Sequence, residues 1–192
     1  MNPDILNAIL GCLGSLLFCL GWVWLNKTED DEVLASHIND LQTKKVDTDW
    51  KDYKARAYLS AQQSNIVDAT ATKVLLNAET YDPGGNFDAD GVDSEFIAPI
   101  SAYYLIHGQI TWINVVVAKR YRACINIEGV QKARAISQSS MANHISAVVT
   151  DVLYVAAGES IDLRAYHQAG VDTPDIEGGQ DSTYLTIHIL SI

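Results

Sequence analysis

Hydrophobic and polar positions follow two different periods along the chain. Residues 5–25 are an apolar run without a charged side chain, and residues 28–45 space their apolar side chains three to four apart, which is typical of helices. From about residue 55 to residue 192, apolar and polar residues alternate instead, and Gly-rich turn sequences such as 82–85 separate the alternating segments. The pattern predicts an all-β sandwich or barrel that follows a helical N-terminal part.

The apolar run predicts an N-terminal helix within residues 1–27. As a helix its 21 residues are about 31 Å long, enough for a bilayer core of about 30 Å. Trp22 and Trp24 at its end suit the headgroup region. Gly11, Ser15 and Cys19 recur every four residues and share one helix face, where small residues allow another helix to approach closely. This helix is either a transmembrane anchor or an apolar plug inside a larger assembly.

Residues 28–54 predict a short helical neck or linker. Thr28 suits the N-cap, acidic residues 29–32 fill the first turn, and Lys44 and Lys45 lie in the last turn, where these charges complement the helix dipole. The apolar seam of the neck covers only two heptads, too few to hold a coiled coil alone. The neck therefore requires another element to gather the chains.

Charge and cysteine content narrow the function. The 24 acidic and 13 basic residues give a net charge of −11, which argues against nucleic acid as a partner because such binders need a clustered cationic surface. Three cysteines are too few and too unevenly placed for a disulfide framework. The sequence contains no nucleophile elbow, P-loop or dinucleotide fingerprint. His144, Ser146 and Asp151 are close in sequence, but alternation along a strand separates them. We predict a protein that is not an enzyme.

An acidic segment offers candidate metal ligands. Asp82, Asp88, Asp90, Asp93 and Glu95 place five carboxylates within 14 residues, and carboxylate oxygens are the ligands that calcium prefers. The segment lacks the complete pattern of an ordered calcium loop, so a solvated acidic loop is the alternative. Calcium is the one cofactor that the sequence leaves open.

The segment 96–108 carries a family resemblance. Phe96, Ala98, Pro99 and Tyr104 resemble the signature of the globular head of complement component one q, a relative of tumour necrosis factor. Segments 77–82, 155–163 and 184–190 are similar to other strands of that family. With strands rich in Ala, Thr and Ser and with brief loops, the domain resembles most the copies found in bacteriophage structural proteins. The resemblance covers most of residues 55–192 and implies a ten-strand jelly roll that assembles as a tight homotrimer.

The sequence departs from the family pattern at three positions. Ala102 stands where the family has Gly, and Ile106 and Gly108 stand where aromatic residues are usual. The inner packing must therefore be rebuilt locally.

Two predicted strands carry apolar residues on both faces. A sandwich buries only one face of each sheet, so the additional apolar side chains need another partner, which a three-fold axis would supply. The candidate trimer-interface residues are Tyr103, Leu105, His107, Tyr184, His188 and Leu190. The two histidines among them could bind a metal or sense pH, or they could be ordinary polar residues of an interface.

These observations predict a non-enzymatic trimeric structural or binding protein. We expect a component of the virion surface, such as a phage tail, fibre or capsid decoration protein, whose loops 81–95, 127–133 and 169–181 contact a host-surface glycan or protein. The N-terminal helix would contact other virion or membrane proteins. The alternative is a membrane-anchored cell-surface binding or scaffolding protein with its head outside the bilayer.

Overall fold

The computed structural model describes residues 53–141, 143–170 and 173–191. They form twelve strands in two antiparallel sheets, which confirms the predicted all-β sandwich. The strands are β1 (Lys54–Tyr58), β2 (Thr72–Lys73), β3 (Ala78–Tyr81), β4 (Phe87–Asp88), β5 (Glu95–Ile97), β6 (Ala102–Ile113), β7 (Arg120–Ile127), β8 (Val130–Gln138), β9 (His144–Val155), β10 (Ser160–His167), β11 (Asp175–Ile176) and β12 (Tyr184–Ser191). The count exceeds the expected ten because short two-residue pairings accompany the long strands.

The first sheet, called sheet A, is built around β6. Strand β6 pairs with β9 along its whole length, with β12, and with β11 at its last two residues. Strand β12 then pairs with β1, and β1 pairs with β3. Strand β9 has no second ladder partner among the described residues, so it is an edge of sheet A.

The second sheet, called sheet B, has the strand order β4-β5-β10-β7-β8, with β2 pairing to β10. Strands β7 and β10 form a continuous ladder from Ile127↔Ile161 to Tyr121↔His167. Among the described strands, β8 pairs only with β7, so it is an edge of sheet B. Both sheets are antiparallel throughout, as expected where one face of each sheet is left outside the core.

The core lies between the inner faces of the two sheets. Its largest fully buried side chains include Trp112, Tyr104, Tyr121 and Phe96. Phe96 of sheet B meets Tyr104 of sheet A edge to face, with ring centroids 6.0 Å apart. The backbone of Ala98 pairs with residues 158 and 159 through Ala98 N to Glu159 O at 2.9 Å and Gly158 N to Ala98 O at 2.8 Å. The residues that carried the family resemblance thus join the two sheets.

Several predictions concern residues that the structure does not describe. The helix of 1–27, with its face of Gly11, Ser15 and Cys19, lies outside the described residues, and so does the neck of 28–54 up to residue 52. Lys54, assigned to the neck, is the first residue of β1. Within residues 53–141, 143–170 and 173–191, no helix has the length and apolarity needed to cross a membrane.

Candidate interaction face

The outward face of sheet A collects side chains from five strands. Alternation turns one residue in two of each strand toward the core and the others outward. We call the outward set on β6, β9 and β12, with its continuation on β1 and β3, the β6–β12 face. Its members are Lys54, Arg56, Tyr58, Tyr81, Tyr103, Leu105, His107, Gln109, Val148, Thr150, Val152, Tyr154, Tyr184, Thr186, His188 and Leu190.

An apolar band occupies the β9 side of this face. Tyr103 and Tyr154 are cross-strand partners whose ring centroids lie 5.4 Å apart in an edge-to-face contact. Leu105 lies opposite Val152 in the next outward pair. The exposed fractions are 48% for Tyr103, 45% for Val148, 46% for Val152, 56% for Tyr154 and 44% for Leu190. Tyr103, Leu105, Val152 and Tyr154 form two adjacent cross-strand pairs, and an exposed apolar patch of this kind marks an interaction site.

His107 lies in the middle of the face and has two hydrogen-bond partners. Its Nδ1 is 2.7 Å from Thr150 Oγ1 on β9, and its Nε2 is 3.2 Å from the Tyr184 hydroxyl on β12. The Tyr184 ring also contacts the imidazole, with ring centroids 5.6 Å apart. Desolvation lowers the pKa of His107, and the positive charge of Arg56 lowers it further. The neutral form is therefore favoured.

His188 has a separate environment on the β1 and β3 side. Its Nε2 is 2.9 Å from the Tyr81 hydroxyl, and the two rings lie 6.0 Å apart. Lys54 Nζ lies 5.7 Å from the centroid of the Tyr81 ring. Desolvation is the main cause that lowers the pKa of His188, and Lys54 adds to it. Burial also raises the pKa of Tyr81, so this pair is a neutral phenol beside a neutral imidazole.

Arg56 connects these polar groups. Its guanidinium carbon lies 3.9 Å from the centroid of the Tyr184 ring, a cation–π contact. Its Nη1 donates to Thr186 Oγ1 at 3.3 Å, and its Nη2 donates to the Gln180 carbonyl at 3.0 Å. An aromatic ring, a hydroxyl group and a backbone carbonyl thus hold the guanidinium group of Arg56 on this face. The described contacts of Arg56, His107 and His188 include no carboxylate.

The structure places all six predicted interface residues on this one face, although no second copy is present to test their role. Sequence reasoning missed the contributions of β9, β1 and β3, above all Val152, Tyr154, Arg56 and Tyr81. The many β-branched and apolar residues over 145–155 were a signal for β9. The short β1 and β3 offered no comparable pattern, and the Tyr81–His188 contact joins residues 107 positions apart.

The acidic loop brings together only part of the candidate calcium set. A carboxylate oxygen of each of Asp88, Asp90 and Asp93 lies within 4.8 Å of the others, and all three residues are exposed. Asp82 instead accepts a hydrogen bond from Phe87 N at 2.7 Å, and Glu95 forms an ion pair with Lys73 at 3.0 Å. Asp90 Oδ1 accepts the backbone N–H groups of residues 92 and 93, so it stabilises the loop itself.

The residues weighed for catalysis do not converge. His144 and Ser146 lie on one face of β9, whereas alternation places Asp151 on the opposite face. His144 Nε2 lies 3.8 Å from Glu177 Oε1 at the exposed end of the sheet. His167 is a core residue whose Nε2 is 2.8 Å from the Ile66 carbonyl and whose Nδ1 accepts Ala169 N–H at 3.2 Å. Its role is structural.

Comparisons with known proteins find a similar fold among solved structures. No family model and no curated protein matches the sequence. Three solved structures are similar to this chain: the Eiger tumour necrosis factor of S. frugiperda (TM-score 0.55, 8% identity), the globular domain of zebrafish complement 1qA protein (0.50, 11%) and murine APRIL at pH 8.5 (0.51, 14%). They cover 72%, 71% and 71% of this chain, and the alignments span 92%, 96% and 98% of those chains, respectively.

At these identities the likeness establishes the fold alone. The described residues form a jelly roll of the tumour necrosis factor and complement globular-head type. The resemblance to bacteriophage copies stays a prediction.

Proposed function

We propose that this protein is a non-enzymatic binding module that assembles as a homotrimer through the β6–β12 face. The observation that carries the proposal is the apolar band of that face, in which five large apolar side chains are about half exposed in a single chain. A sandwich has no further layer of its own to cover this band. A closed symmetric assembly covers it in every copy, and three-fold closure agrees with the homotrimer that the family resemblance implies.

The edge strand β9 supports the same arrangement. A long unpaired edge that carries apolar side chains invites uncontrolled pairing unless something covers it. Val152 and Tyr154 on this edge lie opposite Leu105 and Tyr103 and continue the apolar surface of β6 onto β9. Packing the β9 edge of one copy against the β6–β12 face of the next would cover both the unpaired strand edge and the exposed apolar band.

The polar groups of the face are consistent with a packed interface. The described side-chain contacts pair His107 with Thr150 and Tyr184, and His188 with Tyr81, so these polar atoms already have partners. Groups that are satisfied within one chain can be buried by another copy at a small cost. In the described residues, neither histidine is hydrogen-bonded to a serine, cysteine or carboxylate, so the face offers no nucleophile–base pair.

We place this module on the surface of a virion, where the trimer would attach the particle to a host-surface molecule or decorate it. The similarity in strand and loop composition to copies in bacteriophage structural proteins supports this role. Three identical heads convert weak individual contacts into useful avidity. The second candidate, a membrane-anchored cell-surface protein, rests on the uncharged run of residues 5–25. Flotation of the full-length chain with lipid vesicles would favour the anchor, and co-purification with lipid-free particles would favour the virion.

The test of the trimer is the Val152→Glu variant of the full-length chain. Val152 is 46% exposed in a single chain, so a carboxylate there stays hydrated in the monomer. In the trimer three such carboxylates lose their hydration, and each costs more than the roughly 1–3 kcal/mol of an unpaired neutral polar group, so assembly weakens by several kcal/mol. Light scattering across a dilution series, in one mild detergent, should give a trimer for the wild type and smaller species for the variant.

The matched control is Val130→Glu. Val130 is 57% exposed at the start of β8 in sheet B, far from the proposed interface in the fold, and it receives the same charge. This variant should keep the trimer mass. A Val152→Glu chain that remains a trimer at every dilution would show that the β6–β12 face is not the interface.

A further inference from the structure

Sheet B concentrates positive charge on a protein whose net charge is −11. Of the nine lysines and arginines among the described residues, seven lie in sheet B or in the residue that leads into β7. They are Lys73, Lys119, Arg120, Arg122, Lys132, Arg134 and Arg164. The outward face of sheet B is on the opposite side of the sandwich from the β6–β12 face. Assembly through the latter therefore leaves this charge accessible.

The β10 side of this surface is neutralised by its own carboxylates. Asp162 is 2% exposed and accepts two parallel hydrogen bonds from Arg164, Nε to Oδ1 at 2.8 Å and Nη2 to Oδ2 at 3.0 Å. Lys73 pairs with Glu95 at 3.0 Å and lies 4.0 Å from Asp162. These two cations are committed to structural ion pairs.

Three arginines on the neighbouring strands have no such partner. Arg120 and Arg122 are consecutive outward residues of β7, about 7 Å apart along a strand, and Arg134 of β8 lies opposite Cys124, the next outward position. The side chains of Arg120 and Arg134 form no hydrogen bond or ion pair with any described residue. We call Arg120, Arg122 and Arg134 the arginine patch.

Arg122 is held in place yet remains uncompensated. Its guanidinium carbon lies 4.3 Å from the centroid of the Tyr166 ring, and its Nη2 is 3.4 Å from Gln168 Oε1. Its Nε is buried and has no acceptor. A guanidinium fixed on an aromatic ring without a carboxylate is pre-organised for an external anion, because little side-chain freedom remains to be lost on binding.

We propose that the arginine patch binds an anionic polysaccharide through its sulfate or carboxylate groups. Guanidinium groups recognise both oxyanions through paired hydrogen bonds. The patch holds only three cations on a protein of net charge −11, so it lacks the extended cationic surface that a nucleic acid requires. Spaced anionic groups on a sugar chain fit this arrangement better than a nucleic acid, because Arg122 already covers the Tyr166 ring that a base would stack on.

The arginine patch would supply the binding function proposed above, and only its gain in avidity rests on the proposed trimer. A single head carries a complete patch, and three heads would engage one polysaccharide chain with higher avidity. The affinity of one patch and the gain from assembly can therefore be measured separately.

The experiment measures fluorescence anisotropy of labelled sulfated dextran, polygalacturonate and neutral dextran with the full-length chain at about 50 mM salt. The test variant is Arg120→Gln/Arg134→Gln. The matched control is Lys44→Gln/Lys45→Gln, which lowers the net charge by the same two units, because a pure net-charge effect would be equal in both. We expect the patch variant to lose affinity about tenfold or more and the control to stay within about twofold of the wild type.

Each result decides a point. Binding to sulfated dextran or to polygalacturonate, lost in the patch variant alone, supports the proposal and tells which anion is preferred. Equal binding by patch variant and control, or wild-type binding no tighter than to neutral dextran, overturns it. Tighter binding to a single-stranded oligonucleotide than to either glycan also overturns it. If Val152→Glu abolishes the trimer and keeps single-patch affinity, the two proposals are separated, since a failure of one then leaves the other standing.

Discussion

Gly108 permits the two sheets to interlock at the centre of the core. It is a core-facing residue of β6, and a Cβ atom placed on it would lie 2.7 Å from Leu163 Cδ1 of β10, 3.5 Å from Val149 Cγ1 and 3.6 Å from Leu185 Cδ1. Carbon atoms attract each other best at about 3.5–4.0 Å, so only the Leu163 contact is too short, by about 1 Å. Substitution by alanine therefore forces Leu163, which is fully buried, out of its position.

The expected cost of Gly108→Ala follows from two opposing effects. Alanine restricts the unfolded chain more than glycine does, which favours the folded state by about 0.5–1 kcal/mol. Overpacking of a dense core costs about 1–3 kcal/mol. We expect a net loss of about 1–2 kcal/mol in the free energy of unfolding. Leu163→Val removes both Cδ atoms and places a second methyl group on Cβ, and alone it should cost about 1 kcal/mol for the net loss of one methylene.

The two substitutions should compensate each other. In Gly108→Ala/Leu163→Val the new methyl group occupies space that Cδ1 vacates, so the double variant should be more stable than the sum of the singles by about 1 kcal/mol. Urea unfolding of the four proteins at one fixed chain concentration measures this coupling, since the stability of an assembling protein depends on concentration. A Gly108→Ala chain as stable as the wild type, or a coupling below about 0.3 kcal/mol, would refute the interpretation.

Two further predictions concern assembly and a turn. Burial, and to a smaller degree Arg56 and Lys54, lowers the pKa of His107 and His188 in the folded chain, so each binds its proton there only below the ordinary value of about 6.5. Chains that expose these imidazoles to water bind protons first as the pH falls, so the proposed trimer should lose stability and mass below about pH 6.5. His107→Gln/His188→Gln should remove this dependence. Gly178→Ala should unfold the protein well below the melting temperature of Gly108→Ala, because its Cβ would lie 2.4 Å from the backbone carbon of Ala61, which no change of rotamer relieves; equal melting temperatures would contradict this.

The fold was predictable where local pattern decides it. Alternation over β6, β10 and β12 reflects strands that pack one face on the core, and the period of two follows from the pleat alone. Phe96 and Tyr104 were recognisable through the family resemblance, and both are fully buried where the two sheets meet. At Gly108 the sequence shows only that the aromatic residue usual in the resembled family is missing. It does not show that Leu163 of the other sheet fills the space beside the glycine.

The candidate site was less predictable because it depends on register and long-range pairing. The period of two places His107 on the outward face, but its contact with Thr150 requires the register of β6 against β9. The acidic segment shows the opposite case. Five carboxylates within 14 residues suggest one site, yet Asp82 and Glu95 have other partners in Phe87 N and Lys73, and those contacts cannot be derived from composition.

The distribution of charge separates the surfaces of this head by function. Eight of the nine described lysines and arginines lie on strands, whereas eight of the fourteen described acidic residues lie in turns and loops. A negative rim of loops repels an anionic polymer from the ends of the sandwich, so such a polymer can reach the cations only across a sheet face. On the face of sheet A, Arg56 and Lys54 lie over the Tyr184 and Tyr81 rings beside the apolar band. In the proposed trimer a second copy would bury these two cations. Because the proposed trimer buries the β6–β12 face, the arginine patch of sheet B is the surface that we propose for the anionic ligand, and ligand binding should leave the trimer mass unchanged.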